Sequence, residues 1–178
     1  MSLYKLNDST ECIIRKAVER DAAELVRYSN IIGGESDFLS YGRGEFSHTI
    51  EQERQIIRAY SEGKNKLFLV AVIDKKICGV LTFWGNSRKR LEHWGEFGIS
   101  VQKKYWNKKI GHILIDTMIR WAEEGGVVKK IDLSVREDNH TAISLYEDMG
   151  FEVEGRIRKA MKVDGKFYDF IYMGRIID

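Results

Sequence analysis

Residues 96–111 read EFGISVQKKYWNKKIG, and residues 112–126 follow at once as HILIDTMIRWAEEGG. The first part is an apolar strand ending at Val101. The second is a helix in which Ile110, Ile113, Leu114, Thr117, Met118 and Trp121 recur at helical spacing. Between them lies a short turn carrying Lys103, Lys104, Lys108 and Lys109. The first turn of such a helix has unpaired backbone N–H groups and the positive end of the macrodipole, so the junction can cradle a phosphate without a dedicated side chain. The same residues also suit a plain buried strand, a solvated Lys-rich turn and an amphipathic helix. The pattern alone leaves both readings open.

A second stretch, residues 138–155, DNHTAISLYEDMGFEVEG, narrows the choice. Asn139, Ala142, Ile143, Tyr146, Gly150 and Phe151 stand at the spacing Asn, two residues, Ala, Ile, two residues, Tyr, three residues, Gly, Phe. On these residues the chain resembles the GNAT superfamily of acyl-CoA-dependent N-acetyltransferases. The phosphate loop of that family reads Arg or Gln, two residues, Gly, one residue, Gly or Ala. Here the window falls on residues 106–111, where Gly111 is the strict match and Lys109 stands where Gly is usual. Gly155, Arg156, Lys159, Asp164, Gly165, Lys166, Phe167, Asp169 and Met173 resemble the ribosomal-protein and polyamine acetyltransferase branch. The resemblance runs from about Cys12 to Met173.

Composition agrees with one folded domain. The chain has 178 residues, enough for one well-buried core, and no Pro-rich, Gly/Ser-rich or charged linker divides it. The expected division is a domain over residues 12–178 behind an N-terminal extension, residues 1–11. The net charge of +2 comes from 29 basic and 27 acidic residues spread along the sequence, unlike a protein with one dominant basic face. Nucleic acid is therefore not implied as a partner. Cys12 and Cys78 lie far apart in apolar strands without metal-ligand spacing, so both are expected reduced and buried, and no metal is called for. No run has signal-peptide or membrane-span character, which makes a cytoplasmic enzyme with no membrane partner the expectation. Nothing in the composition argues against a homodimer.

Taken in order, Glu11–Lys16 reads as a first strand, and Asp21 with Glu24 resembles a capping box before a helix facing inward through Ala22, Leu25, Val26 and Ser29. Residues 31–47, with four glycines, form a loop long enough to be functional. Thr49 and Gln52 offer a second capping box, opening a helix to about Ser61. Lys66–Ile73 and Ile77–Trp84 read as a hairpin around residues 74–76, followed by a strand from His93 to Val101. After the cradle helix come the alternating strand Lys130–Val135, a helix from about Asn139 to Met149, and two strands around the Asp164–Gly165 turn. This is the element order of the GNAT fold. The expected fold class is thus α/β (α+β): a single-domain, mixed, mostly antiparallel seven-stranded sheet with about four helices and a splayed central strand pair.

The resemblance also implies roles. Acetyl-CoA would be the cofactor, with its pantetheine arm on the main chain of Ile99 and Val101, in a form of β-augmentation. Its pyrophosphate would meet backbone groups of Lys108, Lys109, Ile110, Gly111 and His112. Gly is usual at position 109 because a missing Cβ admits close approach; a Lys can keep a helical conformation there and supply charge. Asn139 would bond the pantetheine arm, and as an Asn it also suits a helix cap. Tyr146 would protonate the departing thiolate, although a Tyr on an amphipathic helix also suits a core position. Where several relatives carry Glu as base this chain has Ser134, which leaves Glu96 as the candidate carboxylate and His93 as a second choice; a solvated or paired role fits either residue as well. Ser134 joins Glu35 and Asp37 as acceptor-binding candidates, and Glu45 adds to an acidic wall on the loop. The implied reaction moves an acetyl group to a primary amine of a small molecule or peptide N-terminus by direct attack on the thioester. A non-catalytic acetyl-CoA-binding regulator and an RNA-associated module using the Lys103–Lys109 patch are the alternatives.

Overall fold

The computed structural model describes residues 2–178. Fourteen segments of regular structure fold around one sheet. The strands are β1 (Ser2–Lys5), β2 (Glu11–Lys16), β3 (Lys66–Ile73), β4 (Lys76–Gly85), β5 (Trp94–Val101), β6 (Lys130–Arg136), β7 (Glu152–Val163) and β8 (Lys166–Ile176). The helices are α1 (Ala22–Ile32), α2 (Ile50–Ser61), α3 (Ile110–Gly125) and α4 (His140–Asp148), with short 3-10 turns at Glu19–Asp21 and Lys103–Tyr105. The sheet order is β1-β2-β3-β4-β5-β6-β8-β7. Every neighbouring pair is antiparallel except β5 with β6, which is parallel.

Alternation along the strands sorts the core into two layers. On β3, Leu67, Leu69, Ala71 and Ile73 face the layer that holds Ile110, Leu114 and Met118 of α3 and Tyr146 and Met149 at α4. Phe68 and Val70 face the opposite layer with Leu25 and Tyr28 of α1 and Ile57 of α2. The α3/α4 layer is the larger, because α3 buries six positions, including Ile115 and Ile119, against the middle of the sheet. Cys12 and Cys78 are buried free thiols within it. Among the described residues no helix is long and apolar enough to cross a membrane.

The turn chemistry follows the sequence closely. Asp74 and Lys75 both have positive φ, as do Asp164 and Gly165, the backbone that two-residue hairpin turns require. Thr49 and Gln52 form the full capping box of α2. Asn139 caps α4 by accepting from Ala142 N–H at 3.3 Å.

In the sheet and α1 the structure departs from expectation in three places. The sheet has eight strands, not seven, because residues 2–5 pair with residues 11–14 of β2. A four-residue strand has too little alternation to be read locally; its partner and the burial of Leu6 create it. Asp21 stands at the N-cap of α1 but makes no side-chain cap. Its carboxylate instead takes a bidentate pair from Arg15 at 2.6 and 2.8 Å and accepts from Val18 N–H. The inward face of α1 is Ala22, Leu25, Tyr28 and Ile32, so Tyr28 and Ile32 take the places expected of Val26 and Ser29, which are half-buried.

Candidate active site

The parallel ladder between β5 and β6 covers only Trp94–Glu96 against Lys130–Asp132. Beyond Glu96 and Asp132 the strands part, yet each keeps its outer neighbour: β5 stays on β4 as far as Val101, and β6 on β8 as far as Arg136. A wedge-shaped gap therefore opens in the middle of the sheet. Which backbone groups line it follows from alternation. Gln102 N–H donates to Cys78 C=O at 2.9 Å, so the even-numbered residues of β5 bond to β4. His93 C=O accepts from Lys130 N–H at 3.0 Å, which puts the odd-numbered residues on the β6 side. Past Glu96 the main chain of Phe97, Ile99 and Val101 thus faces the gap. The Val101 carbonyl is taken by the Trp106 indole N–H at 2.7 Å.

At the wide end of the gap stands the start of α3. Its first intrahelical bond is Ile113 N–H to Lys109 C=O at 3.0 Å, so the N–H groups of Ile110, Gly111 and His112 precede the ladder. No side chain caps them, and the first turn carries no acid. A Cβ on Gly111 would meet Leu145 and Ile99 at 3.6 and 3.9 Å, which places this turn against both α4 and the gap-lining strand. Uncapped donors beside exposed main chain fit a ligand with a pyrophosphate and an amide-bearing arm, which is the donor and acceptor set of coenzyme A.

Lys109 does not continue the helix, as a Lys there was expected to do. It is the N-cap, at φ 63° and ψ 12°, in the left-handed region. Asn107, two residues earlier, also has positive φ. A left-handed N-cap turns the chain sharply so that successive N–H groups converge, and glycine reaches this conformation without the Cβ cost of about 1–2 kcal/mol. Lys109→Gly is accordingly expected to leave stability unchanged or raise it by up to about 1 kcal/mol, the relief of strain being partly offset by a more flexible unfolded chain. Acetyl-CoA affinity should hold or improve, measured by thermal unfolding and a binding isotherm. A large loss of affinity would identify the ammonium itself as a phosphate ligand. Lys108 points elsewhere, pairing with Asp8 from the β1–β2 turn and lowering the Asp8 carboxyl to about 2.

Tyr146 is buried in the α3/α4 layer beside the gap. It meets Phe97 edge-on at 5.8 Å and Phe151 at 6.1 Å between ring centroids. Burial, with no charged neighbour to offset it, pushes its hydroxyl up to about 12. Glu96, the residue before Phe97, is exposed and projects to the opposite face of the sheet. So does Ser100, whose C=O and Oγ both meet the buried Tyr28 hydroxyl, at 2.8 and 3.0 Å. The two candidate proton-transfer groups therefore lie on opposite faces, with the gap between them.

The long loop after α1 covers the Glu96 face. Its acids are not all turned inward: Glu35 accepts from Lys103 N–H at 2.8 Å and Glu45 from Gly42 N–H at 2.7 Å. The Asp37 side chain is exposed, while its C=O accepts from Arg136 Nη1 at 2.8 Å. Arg136, at the end of β6, lies between the rings of Phe38 and Tyr168 at 4.3 and 4.1 Å and pairs with Asp138. This clamp ties the loop to the strand that borders the gap. Ser134 is half-buried on β6 and shares Arg136's face. His93 is exposed, and its contribution is its carbonyl.

One cluster escaped the sequence. Asp132, fully buried, stands in register with Glu96 at the last pair before the gap. Its Oδ2 accepts from the Trp94 indole N–H, the Tyr172 hydroxyl at 2.6 Å and Lys130 Nζ at 3.1 Å. Its Oδ1 has Lys130 Nζ at 3.0 Å but no hydrogen-bond partner. Lys130 also pairs with Glu154; burial works against its charge, but the bonds to Glu154 and Asp132 outweigh that and raise its pKa. Gly174 opposite is required by crowding, since a Cβ there would come within 2.8 Å of Asp132 Oδ1. In the sequence Asp132 is merely an acid at a polar position of an alternating strand, so nothing local marks it as buried.

Comparison with known proteins agrees with this geometry. The model of the acetyltransferase (GNAT) family matches residues 35–151. The L-amino acid N-acetyltransferase AaaT of Escherichia coli K12 is 36% identical over 108 residues, 61% of this chain and 67% of that protein. The crystal structure of a GNAT-family acetyltransferase from Streptococcus pneumoniae superposes with a TM-score of 0.91 at 32% identity, covering 94% of this chain and 99% of the other. The yncA protein of Salmonella typhimurium, solved with its cofactor acetyl-CoA, has the same fold, with a TM-score of 0.81 at 18% identity over 94% of each chain.

Proposed function

The chain belongs to the acetyltransferase (GNAT) family, and from that premise we propose that it transfers the acetyl group of acetyl-CoA to a cationic primary amine by direct attack of the amine on the thioester. The observation that carries this reading is the parting of β5 and β6 after Glu96 and Asp132, beside the uncapped start of α3. Acetyl-CoA supplies an activated acyl group and a thiolate leaving group. Gap-facing main chain at Ile99 and Val101 would hold the pantetheine arm, with the Val101 N–H left to bond because its carbonyl is already engaged by Trp106. The N–H groups of Ile110, Gly111 and His112 would hold the pyrophosphate. Asn139 already caps α4 through its Oδ1, which leaves its amide donors for the arm.

A primary alkyl amine is mostly protonated at neutral pH and must lose a proton before it can attack. Glu96 faces the acceptor side, open to water, and suits that task directly or through a water. Tyr146 lies on the other side of the gap and keeps its proton well above neutrality, so it suits protonation of the departing thiolate. Placing base and acid on opposite faces lets the amine enter from one side while the leaving group is neutralised on the other. The acceptor preference is supported by Glu96 and buried Asp132 at the foot of the gap, where negative charge favours a cation. Asp37 would extend that field, while Glu35 is engaged with backbone. The E. coli relative is named for L-amino acids, whose α-amine is an acceptor of this type.

The test is direct. Saturating acetyl-CoA should raise Tm, because a ligand at 100 times its Kd adds about 2.7 kcal/mol to a folded state it alone binds. Thiol release over a panel of amines should then favour cationic primary amines. An unchanged Tm counts against the whole reading, and binding without turnover on any amine would make the protein a non-catalytic acetyl-CoA binder.

A further inference from the structure

We propose that Tyr172 binds the acceptor amine, and that buried Asp132 is the positioning residue that makes the Tyr172 hydroxyl a hydrogen-bond acceptor only. The inference rests on reading the β5/β6 gap as the site of acetyl transfer. Its starting point is the direction of one hydrogen bond. Asp132 Oδ2 receives the Trp94 indole N–H and the Lys130 ammonium, both of which can only donate. Oδ2 is therefore the acceptor at the centre of the cluster, and the 2.6 Å contact with Tyr172 is the phenol donating its single proton. A phenol that has committed its proton has only lone pairs left to offer.

Those lone pairs stand at the foot of the gap. Tyr172 is half-buried, on the sheet face that also carries Glu96, and its ladder partner on β6 is Ser134. Glu96 lies in register with Asp132 on the other strand that borders the gap, at its closed end. The next residue on that face of β5 is Gly98, where a Cβ would meet nothing nearer than Thr82 Oγ1 at 3.9 Å, so the floor is open. Burial and the negative charge of Asp132, Glu96 and Glu154 all hold the Tyr172 proton on, and the hydroxyl does not become a phenolate in the working pH range.

Two acceptors at one end of a site select for donors. Once deprotonated, a primary amine has two N–H groups and one lone pair. If Glu96 and Tyr172 each take an N–H, the lone pair has one direction left, toward the gap where the thioester would lie. This is orientation of a nucleophile by its hydrogens, and it favours attack by fixing geometry in advance. A secondary amine has one N–H after deprotonation and leaves one of the two acceptors unpaired, which is costly in a partly buried site. The substrate class inferred is thus a primary amine in preference to its N-alkylated form.

The experiment compares a cationic primary amine that the wild type turns over with its N-methyl derivative, in wild type, Tyr172→Phe and Asp132→Asn. In wild type, kcat/KM should favour the primary amine by tenfold or more. Tyr172→Phe should raise KM for the primary amine by roughly tenfold, leave KM for acetyl-CoA unchanged, and shrink the discrimination at least severalfold. Asp132→Asn should act in the same direction but more weakly if it folds, since an amide oxygen is a poorer acceptor of the phenol proton than a carboxylate; Tyr172→Phe decides the matter if it does not. A purely structural cluster would lower Tm or kcat without changing the ratio of the two amines. Unchanged discrimination in an active, folded Tyr172→Phe overturns this inference alone. A wild type that acetylates no amine overturns the acetyl-transfer reading together with it.

Discussion

Tyr146→Phe is expected to lower kcat by roughly 10²-fold, the low end of what a general acid contributes, with acetyl-CoA affinity nearly unchanged. The hydroxyl is the only atom removed, and the ring that packs edge-on against Phe97 and Phe151 stays in place. Loss confined to kcat would mean that the hydroxyl acts mainly in the transition state. A variant that turns over at the wild-type rate would return Tyr146 to the role of a core aromatic. The same substitution has a second readout in stability. The folded-state value is raised from 10.0 to about 12, so between those limits the folded protein keeps a proton that the unfolded chain has released. Stability from this group is complete below pH 10 and is lost as pH climbs toward 12, by up to about 3 kcal/mol. Tyr146→Phe lacks that loss, and its stability relative to wild type should improve across that window in denaturant titrations.

The second large effect comes from two adjacent backbone positions. Ile99→Pro is expected to weaken acetyl-CoA binding by at least about tenfold, the equivalent of one good hydrogen bond, while the fold survives. Ser100→Pro is expected to destabilise the protein by about 3 kcal/mol or more. The contrast follows from alternation on β5. Beyond Glu96 the strand has a partner on one side only, so at Ile99 it behaves as an edge, where proline is tolerated because the lost N–H was not in the ladder. Ser100 bonds to β4, and its carbonyl also receives Tyr28. Thermal unfolding and an acetyl-CoA isotherm on both variants separate the cases. Normal binding by Ile99→Pro would remove the Ile99 N–H from the cofactor site, and unfolding of both variants would show that the gap is not a local edge.

Much of the fold was legible because it is written in local patterns. Apolar runs marked β3, β4 and β5, and alternation marked β6, to within a residue or two, and the apolar spacing of Ile110, Leu114 and Met118 marked the buried face of α3. Thr49 with Gln52 and Asn139 announced two helix starts, because a cap is made within three residues of itself. The cradle and the Asn139–Phe151 motif were likewise visible as contiguous stretches, and their resemblance to one family named the fold and the chemistry together. The same locality explains what was misread. Asp21 fits a cap as well as it fits an ion pair, and its choice was made by Arg15 on the neighbouring strand. Glu35 looks like an acid free to meet a substrate until Lys103, 68 positions away, presents its N–H.

What the sequence by itself determined is where seven of the strands and the four helices lie, which faces are apolar, and that a basic turn leads into the start of a helix. Tertiary structure alone decided that residues 2–5 become an eighth strand, that Lys109 adopts a left-handed conformation, and that β5 and β6 part after Glu96 and Asp132. It also brought Trp94 and Tyr172, 38 and 40 positions from Asp132, onto one buried carboxylate. The reason is physical. Periodicity tells a polar residue which way it points, but its solvation depends on what other strands lay across it, and no local pattern records a neighbour that arrives from forty residues away.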